Sequence, residues 1–328
     1  MEMWQIYHEN IPQFLLDAAQ TPLMQRLQHV GMNCGCEYTG MPMFRSGRTY
    51  SRFIHSMGVG LIVWHFTGDM TQALAGLLHD VATPVFAHVV DFLNGDYMTQ
   101  ESTEDGTEKL ILQSPELCEV LDKYGIAAEA VVDYHRYPIA DNPSPRLSAD
   151  RLEYTLTNGV NFGKITVQQA KQLYDSIAVG ANESGHPELI FGREELAEKF
   201  AVTALACGKV YVSDEDRYAM QILAELLHSA MGQGILSAED LCGREADVIG
   251  KLEASSLAAD WQAFCQMQGV RSAAMPEQTG AWRRLNAKRR YIDPYVAHKG
   301  RTSACSAAFA AQLKAYLDDP MDGWLCGF

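Results

Sequence analysis

Residues 73–92 read ALAGLLHDVATPVFAHVVDF, and this stretch decides which kind of fold the chain can adopt. Its first half is apolar and long enough for a helix, and it ends in the polar pair His79 and Asp80. Burying an imidazole or a carboxylate without a partner costs several kcal/mol, so each such group needs a partner in the interior. The stretch therefore predicts a core helix whose inner end carries two side chains of the type that binds metals.

Two further segments deliver polar groups to an apolar face in the same way. Residues 50–66 read YSRFIHSMGVGLIVWHF, and apolar residues follow His55 at helical spacing, so His55 begins the buried stripe of a helix. Residues 147–156 read LSADRLEYTL and place Asp150 inside a helix despite its modest helix propensity. The polar groups that these three helices bring inward are expected to meet at one point, where each finds the partner that its burial requires.

Two imidazoles and two carboxylates are a ligand set for one divalent metal ion. We predict that His55, His79, Asp80 and Asp150 hold Mn, Fe, Co, Ni, Zn or Mg, and the residue types do not select among them. Such a set leaves coordination positions open, as a catalytic metal requires. Taken singly, each residue has an ordinary explanation, as a core histidine, a chance dipeptide or a salt-bridged aspartate. The order of the four on three apolar helices is much more specific.

The rest of the chain predicts an all-α fold. Apolar residues recur at three- and four-residue spacing in most segments, and a strand is expected only near residues 208–214. Helices are predicted over residues 55–67, 71–80, 84–93, 105–122, 126–135, 146–158, 166–179, 194–207, 215–231, 237–252, 256–267 and 304–317. A soft domain boundary is expected near residues 180–190, giving regions 1–180 and 181–328.

Composition narrows the possible functions. The 328 residues include 47% hydrophobic residues, eight scattered cysteines and a net charge of −15. We find no signal peptide or membrane span and expect a cytoplasmic protein that does not bind nucleic acid non-specifically or associate with a membrane. The exception to the acidic charge is the cluster Arg283, Arg284, Lys288, Arg289 and Arg290. It is either a solvated helix face or a contact for a phosphate or regulatory nucleotide.

The three motifs RFIHSMGV, LLHDVATPVFAH and SADRLEY resemble the HD superfamily of metal-dependent phosphohydrolases. The branch that they resemble most contains the deoxynucleoside triphosphate triphosphohydrolases, and the resemblance covers roughly residues 45–160. It implies an HD-domain helical bundle in residues 1–180, with additional C-terminal helices packed on it in residues 181–328. It places the four metal ligands on the residues named above. It also implies that Arg52, Arg151 and Tyr154 contact the phosphates or sugar of a substrate, and that the protein is a possible homo-oligomer.

Departures from the family pattern affect the proton-transfer groups. Thr83 and Thr103 stand where catalytic relatives carry histidines, and Ser148 stands in place of an aspartate. His88 is retained, with Asp91 three residues later, so these two side chains and Asp80 are the predicted catalytic group. An ordinary surface pair is the other interpretation of His88 and Asp91. Thr83 is also a suitable N-cap for a helix that begins at Pro84.

The sequence thus predicts a metal-dependent phosphohydrolase for a small phosphorylated substrate, with a nucleotide favoured. Two alternatives stay open at this point. A catalytically degenerate protein of this type would bind a nucleotide or metal as a sensor without turnover. The other alternative is a purely structural metal in a closed site.

Overall fold

The computed structural model describes residues 3–45, 50–90 and 106–328, and the chain in these ranges is mostly helical. The helices are α1 (Gln13–Ala19), α2 (Pro22–Arg26), α3 (Pro42–Arg45), α4 (Arg52–Thr67), α5 (Met70–Leu78), α6 (Thr107–Leu112), α7 (Pro115–Lys123), α8 (Ala149–Asn161), α9 (Val167–Tyr174), α10 (Glu194–Tyr211), α11 (Asp214–Gly232), α12 (Ala238–Leu241), α13 (Glu245–Glu253), α14 (Ala258–Gln266), α15 (Thr302–Cys305) and α16 (Ala307–Asp318). The strands are β1 (Ile177–Ala181), β2 (Pro187–Phe191), β3 (Val270–Ala273), β4 (Arg283–Arg284), β5 (Tyr295–Val296), β6 (Gly300–Arg301) and β7 (Trp324–Gly327).

The strands correct the prediction of a purely α-helical fold. They form a sheet in the order β1-β2-β5-β6 and a second in the order β3-β7-β4. The helix predicted over residues 166–179 ends at Tyr174, and β1 begins three residues later. The turn after β1 fixes this hairpin, because the Asn182 side chain accepts hydrogen bonds from the backbone N–H groups of Ser184 and His186.

Three other local predictions were wrong. Residues 208–214, expected as a strand, contain the end of α10 and the start of α11, since long amphipathic helices flank them on both sides. Residues 126–135 form only short 3₁₀ turns instead of a helix. Within residues 84–90, the described part of a predicted helix, the chain forms turns up to position 88 and is helical only at residues 89 and 90.

The elements that position the site are α4, α5 and α8, which pack together in the first hydrophobic core. Asp69 caps α5 by accepting hydrogen bonds from the backbone N–H groups of Thr71 and Gln72. Close packing of α4 on α8 requires a glycine, because a Cβ at Gly58 would lie 2.6 Å from Cγ of Glu153. These contacts bring the inner ends of the three helices together.

A second hydrophobic core lies around α11, α13 and α14 and includes residues from 34–44 and 85–89. The first core also contains residues from both sides of position 180. The boundary between regions 1–180 and 181–328 stays a prediction. Among the described residues, no helix has both the length and the apolar character that spanning a bilayer requires.

Candidate metal centre

The four predicted ligands converge at the inner ends of α4, α5 and α8. His55 lies on α4, His79 and Asp80 directly follow α5, and Asp150 lies in the first turn of α8. The Nε2 atoms of His55 and His79 are 3.2 Å apart. Oδ1 of Asp150 lies 3.1 Å from Nε2 of His55 and 3.7 Å from Nε2 of His79. Oδ2 of Asp80 lies 3.8 and 3.6 Å from the same two nitrogens.

These separations fit donor atoms that share one cation. Ligand atoms about 2.1 Å from an ion stand about 3.0 Å apart at adjacent octahedral positions and about 3.4 Å apart in a tetrahedron. The donor atoms of His55, His79 and Asp80 all lie within 4.8 Å of one another. The spacing is therefore compatible with a small divalent ion.

The cluster is closed on one side and open on the other. The side chains of His55 and Asp80 are 1% and 9% exposed, whereas that of Asp150 is 22% exposed. An ion held here would face the cavity on the side of Asp150. This open side does not match the closed coordination shell that a purely structural metal would have.

Hydrogen bonds to the second ring nitrogen set the tautomer of both histidines. Nδ1 of His55 lies 2.6 Å from Oε2 of Glu153, and Nδ1 of His79 lies 2.7 Å from the carbonyl oxygen of Gly76. Both partners are acceptors, so each Nδ1 carries a proton and the two Nε2 atoms face each other at 3.2 Å. Two Nε2 lone pairs this close would repel, so a positive charge belongs between them, either a metal ion or a proton on Nε2 of His55. This arrangement is the strongest structural indication of a cation site.

Glu153 is a residue of the candidate site that sequence reasoning missed. Its side chain is fully buried, and its second oxygen accepts hydrogen bonds from Thr157 and from the hydroxyl of Tyr7. A carboxylate that accepts Nδ1–H fixes the ring orientation of a ligating histidine and raises its basicity. The signal was present in SADRLEY, where Glu153 follows Asp150 by three residues and so lies on a neighbouring part of the helix surface.

Arg52 and Thr83 hold Asp80 in its orientation. Arg52 contacts both oxygens of Asp80, at 3.0 and 3.2 Å, and Thr83 donates its hydroxyl to Oδ1 at 2.8 Å. Oδ2 is thereby directed toward the imidazoles. The expectation that Thr83 caps a helix beginning at Pro84 was wrong, since no helix begins there and the hydroxyl binds Asp80 instead.

The electrostatics of the cluster favour positive charge at its centre. Burial by itself would lower the pKa of His55, but hydrogen bonds with Asp150 and Glu153 outweigh burial and raise the pKa to about 10. Burial would raise the pKa of Asp80, but Arg52 and the two imidazoles hold it well below its usual range. The pKa of Asp150 falls to about 2, because the hydrogen bond with His55 outweighs burial. Both carboxylates are thus ionised at neutral pH, and the residues present fit a divalent cation.

A cavity of about 870 Å³ opens from the ligand cluster, within the size range of small-molecule sites. The predicted substrate contacts Arg52, Arg151 and Tyr154 line it, and so does the predicted acid/base His88. Their roles in substrate binding and catalysis stay predictions. Asp91 and Thr103 lie outside the described residues.

Arg151 is held in a fixed position at the cavity wall. Its guanidinium donates to Oδ1 of Asp141 at 2.8 Å, to Oδ1 of Asn142 at 3.2 Å and to the Ser148 hydroxyl at 3.0 Å. Ser148 also accepts a hydrogen bond from the backbone N–H of Arg151 and caps α8. The serine that departs from the family pattern therefore fixes the helix that carries Asp150.

The basic cluster at residues 283–290 does not form a helix face, because β4 and irregular chain occupy this range. Arg283 pairs with Glu225 on α11. Lys288 and Arg290 line the cavity of the ligand cluster. Sequence reasoning could not assign these two to the site, since more than 130 residues separate them from Asp150.

No family model matches the sequence. Over 221 residues the chain is 29% identical to YdhJ, an uncharacterised protein of Bacillus subtilis, in a match that covers 66% of each chain. Over 282 residues it is 26% identical to the metal-dependent phosphohydrolase cns2 of Cordyceps militaris, covering 84% of this chain and 73% of the fungal protein. The chain thus spans about two thirds to three quarters of the length of these relatives.

Two solved structures share the fold along nearly the whole chain. A phosphohydrolase of Bacteroides thetaiotaomicron matches with a TM-score of 0.67 at 15% identity, covering 97% of this chain and 96% of that one. A hypothetical protein of Aquifex aeolicus matches with a TM-score of 0.66 at 18% identity, covering 97% and 92%. These two similarities show the fold, while the similarity to the fungal protein agrees with the coarser resemblance to metal-dependent phosphohydrolases. The narrower resemblance to deoxynucleoside triphosphate triphosphohydrolases stays a prediction.

Proposed function

We propose that this protein is a metal-dependent phosphohydrolase that acts on a small phosphorylated molecule, with a nucleotide as the favoured substrate. The observation that carries the proposal is the convergence of four donor atoms, two imidazole nitrogens and two carboxylate oxygens, at the inner end of a cavity. The similarity to the protein named metal-dependent phosphohydrolase in Cordyceps militaris supports it.

His55, His79, Asp80 and Asp150 would hold the ion. A divalent ion bound there would supply Lewis acidity for phosphate-ester hydrolysis and would lower the pKa of water. Glu153 and the carbonyl of Gly76 keep the two imidazoles in the tautomer that ligation needs. Arg52 and Thr83 keep Oδ2 of Asp80 directed inward.

The cavity wall supplies the groups that bind the substrate. Arg151 is already oriented by three acceptors, so little side-chain entropy is lost when it contacts a phosphate. Lys288 and Arg290 add cationic charge to the same cavity. Such charges stabilise the anionic transition state of phosphoryl transfer.

The nucleotide is favoured by the aromatic residues of the wall. Tyr154 and Tyr211 lie edge to face, with ring centroids 6.5 Å apart, and Phe162 contacts Tyr211 in the same geometry at 6.2 Å. All three line the cavity together with Asn158. Aromatic faces and a polar amide are groups that bind nucleobases. His88 is the proposed proton donor to the leaving group.

One experiment tests the proposal directly. The metal of the purified protein is identified by elemental analysis. Hydrolysis of p-nitrophenyl phosphate, bis-p-nitrophenyl phosphate and nucleoside mono- and triphosphates is then measured with added Mn²⁺, Co²⁺, Ni²⁺ or Mg²⁺. We expect a bound transition metal and turnover of at least one phosphate ester. Asp80→Asn should abolish both.

Asp247→Asn is the matched control, because it makes the same chemical change at an exposed carboxylate paired with Arg244 on the surface. It should keep the metal and the turnover. A protein that retains no metal and hydrolyses none of these compounds would contradict the proposal.

A further inference from the structure

A second cavity, of about 880 Å³, lies between the end of α10, the start of α11, α16 and β7. None of the four metal ligands lines it. The function proposed above makes no use of this cavity.

Its lining concentrates cations on an acidic chain. Lys209, Arg217, Arg284 and Arg289 contribute four positive charges, against three carboxylates, whereas the whole chain carries a net charge of −15. Lys209 and Arg284 are exposed, and the side chain of neither forms a hydrogen bond or ion pair with any residue in the described ranges. Both are available to an incoming anion.

Two guanidinium groups are fixed at the cavity wall by hydrogen bonds to protein oxygens. Arg217 is only 3% exposed and donates to Asp214 and to the carbonyl oxygen of Leu285. Arg289 donates to the carbonyl oxygen of Asp319. In both residues Nε is buried and has no partner among the described residues. A buried donor without a partner is uncommon, because it forfeits a hydrogen bond that water would supply.

The carboxylates of the lining do not neutralise this charge completely. Asp214 is engaged by Arg217, which leaves the carboxylates of Asp319 and Asp322 against three cations and hence a surplus of one positive charge. The remaining cations are mostly guanidiniums, whose planar fork matches the oxygens of a phosphate. The ligand class that fits best is therefore a small molecule with one or more phosphate groups.

The same segment of chain separates this cavity from the candidate catalytic cavity. Within residues 284–290, Arg284 and Arg289 line the second cavity, while Lys288 and Arg290 line the first. Tyr316 lines the second cavity and donates its hydroxyl to the carbonyl oxygen of Arg290 at 3.3 Å. Fixing one face of this segment constrains the side chains on its other face.

We propose that the second cavity is a binding site for a small phosphorylated anion, and that its occupation orders residues 284–290 and so the cations of the catalytic cavity. The site thus gives a phosphorylated metabolite a way to regulate the protein from outside the ligand cluster. Coupling between two sites requires a shared element that both ligands bias, and the segment 284–290 is that element.

The test uses the full-length, metal-loaded protein and inorganic pyrophosphate as the probe. Calorimetric titration is compared for the natural protein, for Lys209→Gln/Arg284→Gln, and for Lys171→Gln/Arg244→Gln. The last variant removes two exposed cations that line neither cavity, so it matches the change in net charge. Thermal unfolding of all three proteins checks that they fold equally well.

We expect two classes of pyrophosphate site in the natural protein and in the control. In Lys209→Gln/Arg284→Gln the affinity of one class should fall about tenfold or more, since two charge-assisted hydrogen bonds are lost. Equal binding by all three proteins would overturn the proposed site.

Hydrogen exchange measures the proposed coupling. Pyrophosphate should slow amide exchange in peptides that span residues 284–290 in the natural protein, and this protection should be lost in Lys209→Gln/Arg284→Gln. Protection that persists in this variant would overturn the coupling, because it would then arise from the catalytic cavity alone. Binding to the second cavity without any protection of the segment would overturn it as well.

Discussion

The two cavities contrast in how their charged groups are held. In the ligand cluster every charged side chain is mostly buried and has a fixed partner, as with Asp80 between Arg52 and Thr83. In the second cavity the side chains of Lys209 and Arg284 are exposed and have no hydrogen-bond or ion-pair partner in the described chain. Buried charges are stable only when they are paired and hydrogen-bonded, whereas exposed ones are free to respond to ligands. The first arrangement suits chemistry in a fixed geometry, and the second suits reversible binding.

This contrast is tested most sharply by comparing a variant that lacks a buried group of the ligand cluster with a variant that lacks an exposed group of the second cavity. His55→Gln should lower the affinity for metal by about a hundredfold or more, because a ligand is lost. It should also destabilise the fold by about 3–5 kcal/mol, since Glu153 is left buried without its partner. Lys209→Gln should change the free energy of unfolding by about 0.5 kcal/mol or less. Metal titration and chemical denaturation measure both effects. Similar stability losses in the two variants would contradict the contrast.

A smaller effect is expected from a substitution of Glu153, which contacts Nδ1 of His55. Glu153→Gln keeps the shape of the side chain and removes its charge, so metal affinity should fall about 10–100-fold with the fold intact. Competition with a chelator measures the affinity, and circular dichroism checks the fold. Thr157→Val is the control, because it removes only a donor to the other oxygen of Glu153. If both variants bind metal as the natural protein does, Glu153 has no orienting role.

A substitution of Lys288 tests whether this side chain of segment 284–290 contributes to substrate binding in the candidate catalytic cavity. Lys288→Gln should raise KM for a phosphorylated substrate about five- to tenfold with a smaller change in kcat, since it removes a charge that is proposed to bind the substrate. The affinity of the second cavity for pyrophosphate should stay within about twofold. Steady-state kinetics and calorimetry measure the two quantities. An unchanged KM would exclude Lys288 from substrate binding.

Glu37 is a buried carboxylate that lacks the neighbouring positive charges that lower the pKa of Asp80. Burial and the charge of Glu245 raise the pKa of Glu37 to about 7, and its Oε2 has no hydrogen-bond partner among the described residues. A raised folded-state pKa stabilises the fold below the ordinary pKa, and this contribution is lost as pH rises through about 7.

The free energy of unfolding should therefore fall between about pH 5 and pH 8, and Glu37→Gln should reduce that fall by on the order of 1 kcal/mol. Urea denaturation at several pH values measures the difference. Identical pH profiles for the two proteins would show that Glu37 keeps an ordinary pKa.

The smallest effect is expected at Thr83. Thr83→Val removes the hydroxyl that donates to Oδ1 of Asp80 while keeping the volume, so metal affinity should fall about two- to fivefold. Thr83→Ser keeps the hydroxyl and should retain most of the affinity. If valine and serine give the same metal affinity, the hydrogen bond contributes nothing to Asp80.

Much of the candidate site could be predicted from the sequence because its ligands lie at fixed helical positions. The apolar stripe that begins at His55 specifies which face of α4 is buried, and the stretch that ends in His79 and Asp80 does the same for α5. The structure places these residues together with Asp150, as the order of the motifs predicted. Short elements were predicted less well. The turn residue Asn182 forms a hairpin that the helical spacing of its neighbours did not indicate.

The sequence by itself determined that the chain is mostly helical and that two imidazoles and two carboxylates stand at the buried ends of helices, because hydrophobic periodicity is a local property. Only the tertiary structure decided that Glu153 supports His55 and that Arg289 and Lys288 face different cavities. Those assignments depend on how segments far apart in the chain pack against one another. Packing fixes the direction of each side chain through long-range contacts, and no local pattern of residues encodes that direction.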